Sequence, residues 1–196
     1  MTMEPDVIPD VFPELSTSHY LLRPLTLADV DAIFAIFADP VVTRYWGQSA
    51  FESREQARTF IEHTLDGFTH RTMLEWGITE PPSTTVIGTC ALTGWSEVHE
   101  RAELGYALDR QMWGRGIMVE VLPVVIQFAF THLRLHRIEA DVDPRNHASI
   151  RHLERLGFRK EGYFRQRYLV NGERQDAVVF GLLHVDASAT TTLRIT

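Results

Sequence analysis

Residues 111–116 read QMWGRG: two glycines one residue apart, arginines at 110 and 115, and then the longest apolar run of the chain. Glycine is among the poorest helix formers, so two of them at a helix start need a reason. A Gly-rich turn between a strand and a helix is a device for binding phosphate. Gly114 and Gly116 let the backbone come close to the ligand, the unpaired amides of the first helical turn point at it, and the helix dipole favours its charge. Arg110 and Arg115 add positive charge nearby. A tight strand-to-helix turn explains the same glycines without any ligand, and a lone G-x-G does not choose between the two. The dinucleotide fingerprint needs a third glycine that GRGIMV lacks, and no G-K-[ST] completes a Walker A loop.

The elements that must position this turn can be read on either side of it. A short strand is expected at Tyr20 to Arg23. Thr26 then caps a helix with Asp29 three residues on, its apolar face carried by Val30, Ile33, Phe34, Ile36 and Phe37. Ser53 caps a second helix with Ala57, Phe60, Ile61 and Leu65 on one face and Gly67 near its end. TMLEWGITE and STTVIGTCALTGW form an antiparallel pair joined at Pro81-Pro82-Ser83, and residues 101–109 add a third strand that runs into the turn. The helix after Gly116 is apolar almost all round and so buried on most faces, with Pro123 predicting a kink or widened turn near Val119 to Pro123. A strand over 136–143 follows, then a helix striped by Ile150, Leu153 and Leu156 and capped by Gly157, then a hairpin turning at Asn171-Gly172. The predicted fold is a mixed α/β sheet, mostly antiparallel, in which the unit from Glu103 to Asp143 pairs in parallel through a right-handed crossover.

The 196 residues make one domain, with a core over about 20–184, an N-terminal arm over 1–18 and a polar tail over 186–196. A formal charge of −7 leaves no global positive field for a polyanion, which argues against nucleic acid as a partner. Cys90, the single cysteine, excludes an internal disulfide and fits a reducing, cytoplasmic setting. No signal-like start and no apolar run of membrane-spanning length occurs, so no membrane partner is expected.

The turn matches in full the pattern [QR]-x-x-G-x-[GA], through Gln111, Gly114 and Gly116, and the chain resembles the GNAT superfamily of acyl-CoA-dependent N-acyltransferases. RAELGYALDRQMWGRG, LHRIEADVDPRNHASIRHLERLGFRKEG and NGERQDAVVFGLL are similar to the branch that includes the ribosomal-protein-alanine N-acetyltransferases, and the likeness runs from about Tyr20 to Leu183. It implies a GNAT fold with about four helices, in which the strands 102–109 and 136–142 splay apart, and acetyl-CoA or another acyl-CoA as co-substrate with no metal. The amides from Gln111 to Ile117, including Gly114, Arg115 and Gly116, would bind the pyrophosphate of coenzyme A. Backbone groups near Ala107 and Leu108 would meet the thioester and its oxyanion. Asn146 and Ser149 match the family's Asn-x-x-Ser: Asn146 would bond the pantetheine, and Ser149 would give a proton to the leaving thiolate. Read without the family, the same two residues are a helix cap and a first-turn residue.

The implied reaction is direct attack of a primary amine on the thioester in a ternary complex, with no covalent enzyme intermediate. Glu103 is the first candidate for the base, at a position where several family members place a catalytic glutamate. An exposed strand carboxylate, or a salt bridge to Arg101 or Arg137, is its other reading, and Glu161 is a weaker candidate. The acceptor is a protein N-terminus or a small amine, and the protein a monomer or homodimer. A non-catalytic acyl-CoA sensor, or a transferase using a larger donor such as succinyl-CoA, is the alternative. The nine histidines show no H-E-x-x-H, and Cys90 reads as a buried apolar residue. The aromatics of RYWG (44–47), with Trp76 and Tyr168, read first as core and only second as the wall of an acceptor pocket.

Overall fold

Local signals at the start of the chain fix the first two helices. In the computed structural model, which describes residues 9–187, the Asp29 carboxylate accepts hydrogen bonds from the Thr26 N–H (2.8 Å) and hydroxyl (3.0 Å). The turn they close, Leu27–Asp29, is a 3-10 turn, and α1 proper is Val30–Phe37. Ser53 and Gln56 cap α2 (Arg54–Thr69) reciprocally: Ser53 Oγ accepts from the Gln56 N–H, and Gln56 Oε1 from the Ser53 N–H. Gly67 lies near the end of this helix, as expected, two residues before Thr69. It lies inside, where a Cβ would stand 2.4 Å from Met73 Cγ, and the left-handed residue that closes the turn is Arg71 at φ 57°. Close packing, not capping, requires glycine there.

The strands are β1 (Leu15–Ser16), β2 (Leu21–Pro24), β3 (Leu74–Thr79), β4 (Val86–Ser96), β5 (Arg101–Leu108), β6 (Arg137–Val142), β7 (Arg159–Val170) and β8 (Glu173–Leu183). They form one sheet in the order β1-β2-β3-β4-β5-β6-β8-β7, antiparallel throughout except for β5 and β6. That parallel pair is linked by α3 (Ile117–Thr131), and α4 (His147–Arg155) joins β6 to β7. A further helical turn covers 184–187. The predicted mixed sheet with one parallel pair is thus found. The hairpin residues Asn171 and Gly172 both have positive φ, and Gly157, at φ 93°, ends α4. Most of the predicted polar tail lies outside the described residues.

The arm before β2 is docked: the Trp76 indole N–H donates to the Pro13 carbonyl at 2.7 Å, and Phe12 stacks edge-on against Trp76. Alternation along the strands sorts the core onto two faces. Leu74, Trp76 and Ile78 of β3 join Cys90, Leu92, Leu104 and the apolar residues of α3 on one face. On the other, Leu25, Ile33, Phe37 and Ile61 pack α1 and α2 against the sheet. α3 runs without interruption through Pro123, which lies with Val119 and Gln127 on its solvent-exposed stripe. The Val119 carbonyl, which the proline leaves without a donor, therefore faces the side that water can reach.

Candidate active site

The parallel pairing of β5 and β6 covers only Arg101↔Arg137, Ala102↔Ile138 and Glu103↔Glu139. Beyond it β5 continues to Leu108 and β6 to Val142 without pairing, so the strands part into the V expected for residues 102–109 and 136–142. Two cavities open on this gap.

The first, about 710 Å³, is lined by Ala107, Leu108, Gly114, Gly116, Ile117 and Asn146 among others. Gly114 and Gly116 have φ of 76° and 78°, a conformation that costs other residues about 1–2 kcal/mol, and a Cβ on either would meet nothing within 4 Å. The glycines are therefore not needed for internal packing. The room beside them is left for something else, and Gly116 is the left-handed cap from which α3 presents its first amides. That space, next to unpaired amides at the end of a 15-residue helix, fits a pyrophosphate. The loop arginines are partly spoken for: Arg115 pairs with Glu80 at 2.9 Å, and Arg110 lies 3.9 Å from Asp39. Arg44, Arg145 and Arg155 line the same cavity and were not foreseen. They are scattered over 111 residues of sequence and come together only through the fold.

Asn146 caps a helix, as its reading without the family has it. Its side-chain oxygen accepts from the Ser149 N–H at 3.2 Å, capping α4, and its side-chain N–H groups stay available to a ligand. Ser149 Oγ lies 2.7 Å from the Tyr106 hydroxyl. Tyr106 was missed because one tyrosine in a strand carries no spacing signal. Burial pushes its phenol up to about 12, so it stays protonated and can donate to Ser149.

The second cavity, about 630 Å³, meets the first at Tyr45, Trp46, Tyr106, Asn146 and Ser149. Glu103 lines it. The salt bridges offered as its alternative are not made: Arg101 binds Glu139 at 2.8 Å, and Arg137 binds Glu139 at 2.7 Å and also Glu161. Burial raises the Glu103 carboxyl above the usual carboxylate range, helped by Asp141. Glu161 is held by Arg137, whose hydrogen bond keeps its carboxyl low, and it is not part of the cavity wall. Tyr45, Trp46 and Tyr168 do wall this cavity, reversing the preference for core packing, whereas Trp76 is fully buried in the core. The sequence also gave no sign of Glu75, which lines the cavity and is 6% exposed. A charged residue within a strand buried on both faces was the one available cue.

Cys90 is fully buried, and burial pushes its thiol up, which leaves it no nucleophilic role. Among the described residues no three His, Cys, Asp or Glu side chains converge as metal ligands, and no helix is long and apolar enough to cross a membrane.

Comparison with known proteins agrees with this architecture. Residues 19–159 match the acetyltransferase (GNAT) domain. The uncharacterized N-acetyltransferase YoaA of Bacillus subtilis (strain 168) is 37% identical over 173 residues, covering 88% of this chain and 98% of that protein. The [ribosomal protein uS5]-alanine N-acetyltransferase of Escherichia coli (strain K12) is 32% identical over 112 residues, 57% of this chain and 58% of its own length. Spermidine N-acetyltransferase from Vibrio cholerae, solved in complex with CoA and spermine, shares the fold with a TM-score of 0.78 at 22% identity, over 87% of this chain and 99% of that one. With its splayed strands and its glycine turn, the chain belongs to the GNAT family and is an N-acetyltransferase.

Proposed function

We propose that the protein transfers an acetyl group from acetyl-CoA to a primary amine of a cationic acceptor, by direct attack in a ternary complex. The observation that carries this reading is the meeting of two cavities through the β5–β6 gap: one beside the glycine turn, the other lined by carboxylates. The amides from Gly114 to Ile117 hold the pyrophosphate, and the Asn146 amide and the unpaired edge of β5 near Ala107 and Leu108 hold the pantetheine arm. Glu103 takes a proton from the incoming ammonium, directly or through water. The neutral nitrogen then attacks the thioester carbon, the C–S bond breaks, Ser149 gives its proton to the leaving thiolate, and the second nitrogen proton, released as the amide forms, returns to the Ser149 oxygen through water or the Tyr106 hydroxyl.

The acceptor side is negative. Glu75, Glu103, Asp141, Asp143 and Asp176 line it, and no Arg or Lys does among the described residues. Arg167 pairs with Asp141 at 2.6 Å and Arg145 with Asp143 at 2.7 Å, but Glu75, Glu103 and Asp176 form no ion pair among the described residues, and this disfavours an anionic acyl chain such as succinyl. It favours cationic acceptors, among which are polyamines such as the spermidine and spermine named for one relative; another relative is named for an alanine of ribosomal protein uS5. The test is release of coenzyme A thiol from acetyl-CoA across spermidine, alanyl peptides and simple monoamines. Thiol release with cationic amines is expected; coenzyme A binding with no release for any amine sinks the reading.

A further inference from the structure

The acceptor-side cavity holds a buried charge that the transfer chemistry leaves unused. Glu75 is the second residue of β3, 6% exposed, and none of the described Arg, Lys or His residues forms an ion pair with it. Burial pushes its carboxyl up to about 7, and the Thr89 hydroxyl on the same face is itself buried with no hydrogen-bond partner. Leaving a carboxylate so placed without a partner is costly, and a cation entering the cavity would supply one.

The sheet register shows where that cation would sit relative to the reacting amine. Glu75 stands opposite Ala91, Ala91 opposite Gly105, and Thr93 opposite Glu103. All five residues therefore point to the same face, the one covered by α2, and all of them line the cavity. With strands about 4.8 Å apart and a rise of about 3.4 Å per residue, the Cα atoms of Glu75 and Glu103 are about 12 Å from each other. The floor between them is Ala91 and Gly105, and a Cβ on Gly105 would meet nothing within 4 Å. Thr59, Phe60 and His63 of α2 form the opposite wall. The result is a trough with a floor of small residues, a side wall of Thr59, Phe60 and His63, and a carboxylate at each end. β3 is two strands from the gap where the acyl group is transferred, farther than a glutamate side chain can span, so Glu75 does not reach the attacking nitrogen.

We propose that Glu75 is a specificity-determining residue that binds a second cationic group of the acceptor, remote from the amine that is acetylated, so that the protein selects extended acceptors with two positive ends. This rests on the reading that the cavity takes the acceptor. The shared chemistry, an amine and a second ammonium or guanidinium joined by an extended chain, occurs in α,ω-diamines and in peptides with a basic residue next to a free N-terminus.

Isothermal calorimetry on the full chain loaded with coenzyme A reads binding without turnover. Its ligand pairs are 1,6-diaminohexane against hexylamine, and Ala-Arg amide against Ala-Leu amide. At least one dicationic ligand is expected to bind about 10-fold or more tighter than its monocationic partner. Which pair shows the difference identifies the source. Glu75→Gln, which keeps shape and removes charge, is expected to reduce that advantage to about twofold while leaving the monocation unchanged. Glu75→Asp should retain part of it. Equal binding of both members of both pairs by the native protein overturns the proposal without any variant, as does an equal loss of both in Glu75→Gln. Acetyl transfer that proceeds without a dication preference sinks the role of Glu75 alone. No amine binding and no transfer sink the reading beneath it as well.

Discussion

The coenzyme-side cavity draws its binding groups mainly from one continuous stretch, residues 107–119, and from the start of α4, whereas the acceptor-side cavity is assembled from α2, β3, β4, β5 and β6 together. The first works through backbone: open space at two left-handed glycines and the first amides of α3. The second works through side chains, carboxylates and aromatics, that no local pattern unites. One surface can keep its ligand while the other is rebuilt for a new acceptor, because the two share only Tyr45, Trp46, Tyr106, Asn146 and Ser149. The division fits a family whose members acetylate different amines with one donor.

The sharpest way to break this division is at the backbone side. Gly114→Glu puts a side chain and a negative charge into the open space beside a residue at φ 76°. The coenzyme A dissociation constant is expected to rise by about 1,000-fold or more, some 4 kcal/mol. Since a Cβ at this position meets nothing within 4 Å, the melting temperature without coenzyme A should move only a few degrees, for about 1–2 kcal/mol of backbone strain. Calorimetry and thermal melting read the two separately. Retained coenzyme affinity would show that the turn is only a turn.

A smaller effect is expected at the carboxylate nearest the junction. Glu103 has its carboxyl raised by burial and by Asp141, so the native rate should fall below a pH set by an acid weaker than an ordinary glutamate. Glu103→Gln is expected to lower turnover by about 100-fold at neutral pH and to remove that acid limb, leaving a rate that climbs with the fraction of free amine. Coenzyme affinity should stay within about twofold, which keeps this change on the acceptor side of the division. A pH profile that survives the substitution assigns the base to another group.

The same contrast explains what the sequence could and could not tell. Gly114 and Gly116 are legible because a backbone that needs positive φ selects glycine at fixed spacing. Asn146 and Ser149 are legible because a helix start puts them on one side. The strand order was within reach too, since hairpin turns and a crossover helix leave few arrangements. Glu75, Tyr106 and the arginines at 44, 145 and 155 were not legible. Each is one residue on a different element, and only the sheet order and the parting of β5 from β6 bring them to a common gap. Tyr45 and Trp46 were seen but assigned first to the core, because aromatics lining a cavity and aromatics filling a core look alike in sequence.

The smallest effect is on stability, and it tests whether Glu75 is kept at a cost. Its carboxyl titrates near 7 in the fold, against the ordinary value near 4.5 once unfolded. Between these values the native state holds a proton that the unfolded state has lost. Stability should therefore fall as pH rises from about 4.5 through 7, by up to about 3 kcal/mol for complete burial. Glutamine carries no such penalty, so Glu75→Gln should melt several degrees higher than the native chain at pH 8, at about 2–4 °C per kcal/mol for a protein of this size, and match it near pH 5. A variant no more stable at pH 8 than at pH 5, relative to native, would mean that the carboxylate already has a partner or water in the free protein. A gain confined to high pH, which a bound dication narrows by stabilising the native chain more than the variant, ties the destabilised group to the acceptor. That pattern would show the acceptor side storing a cost in the empty protein that its ligand relieves, whereas the glycine turn stores none that packing needs.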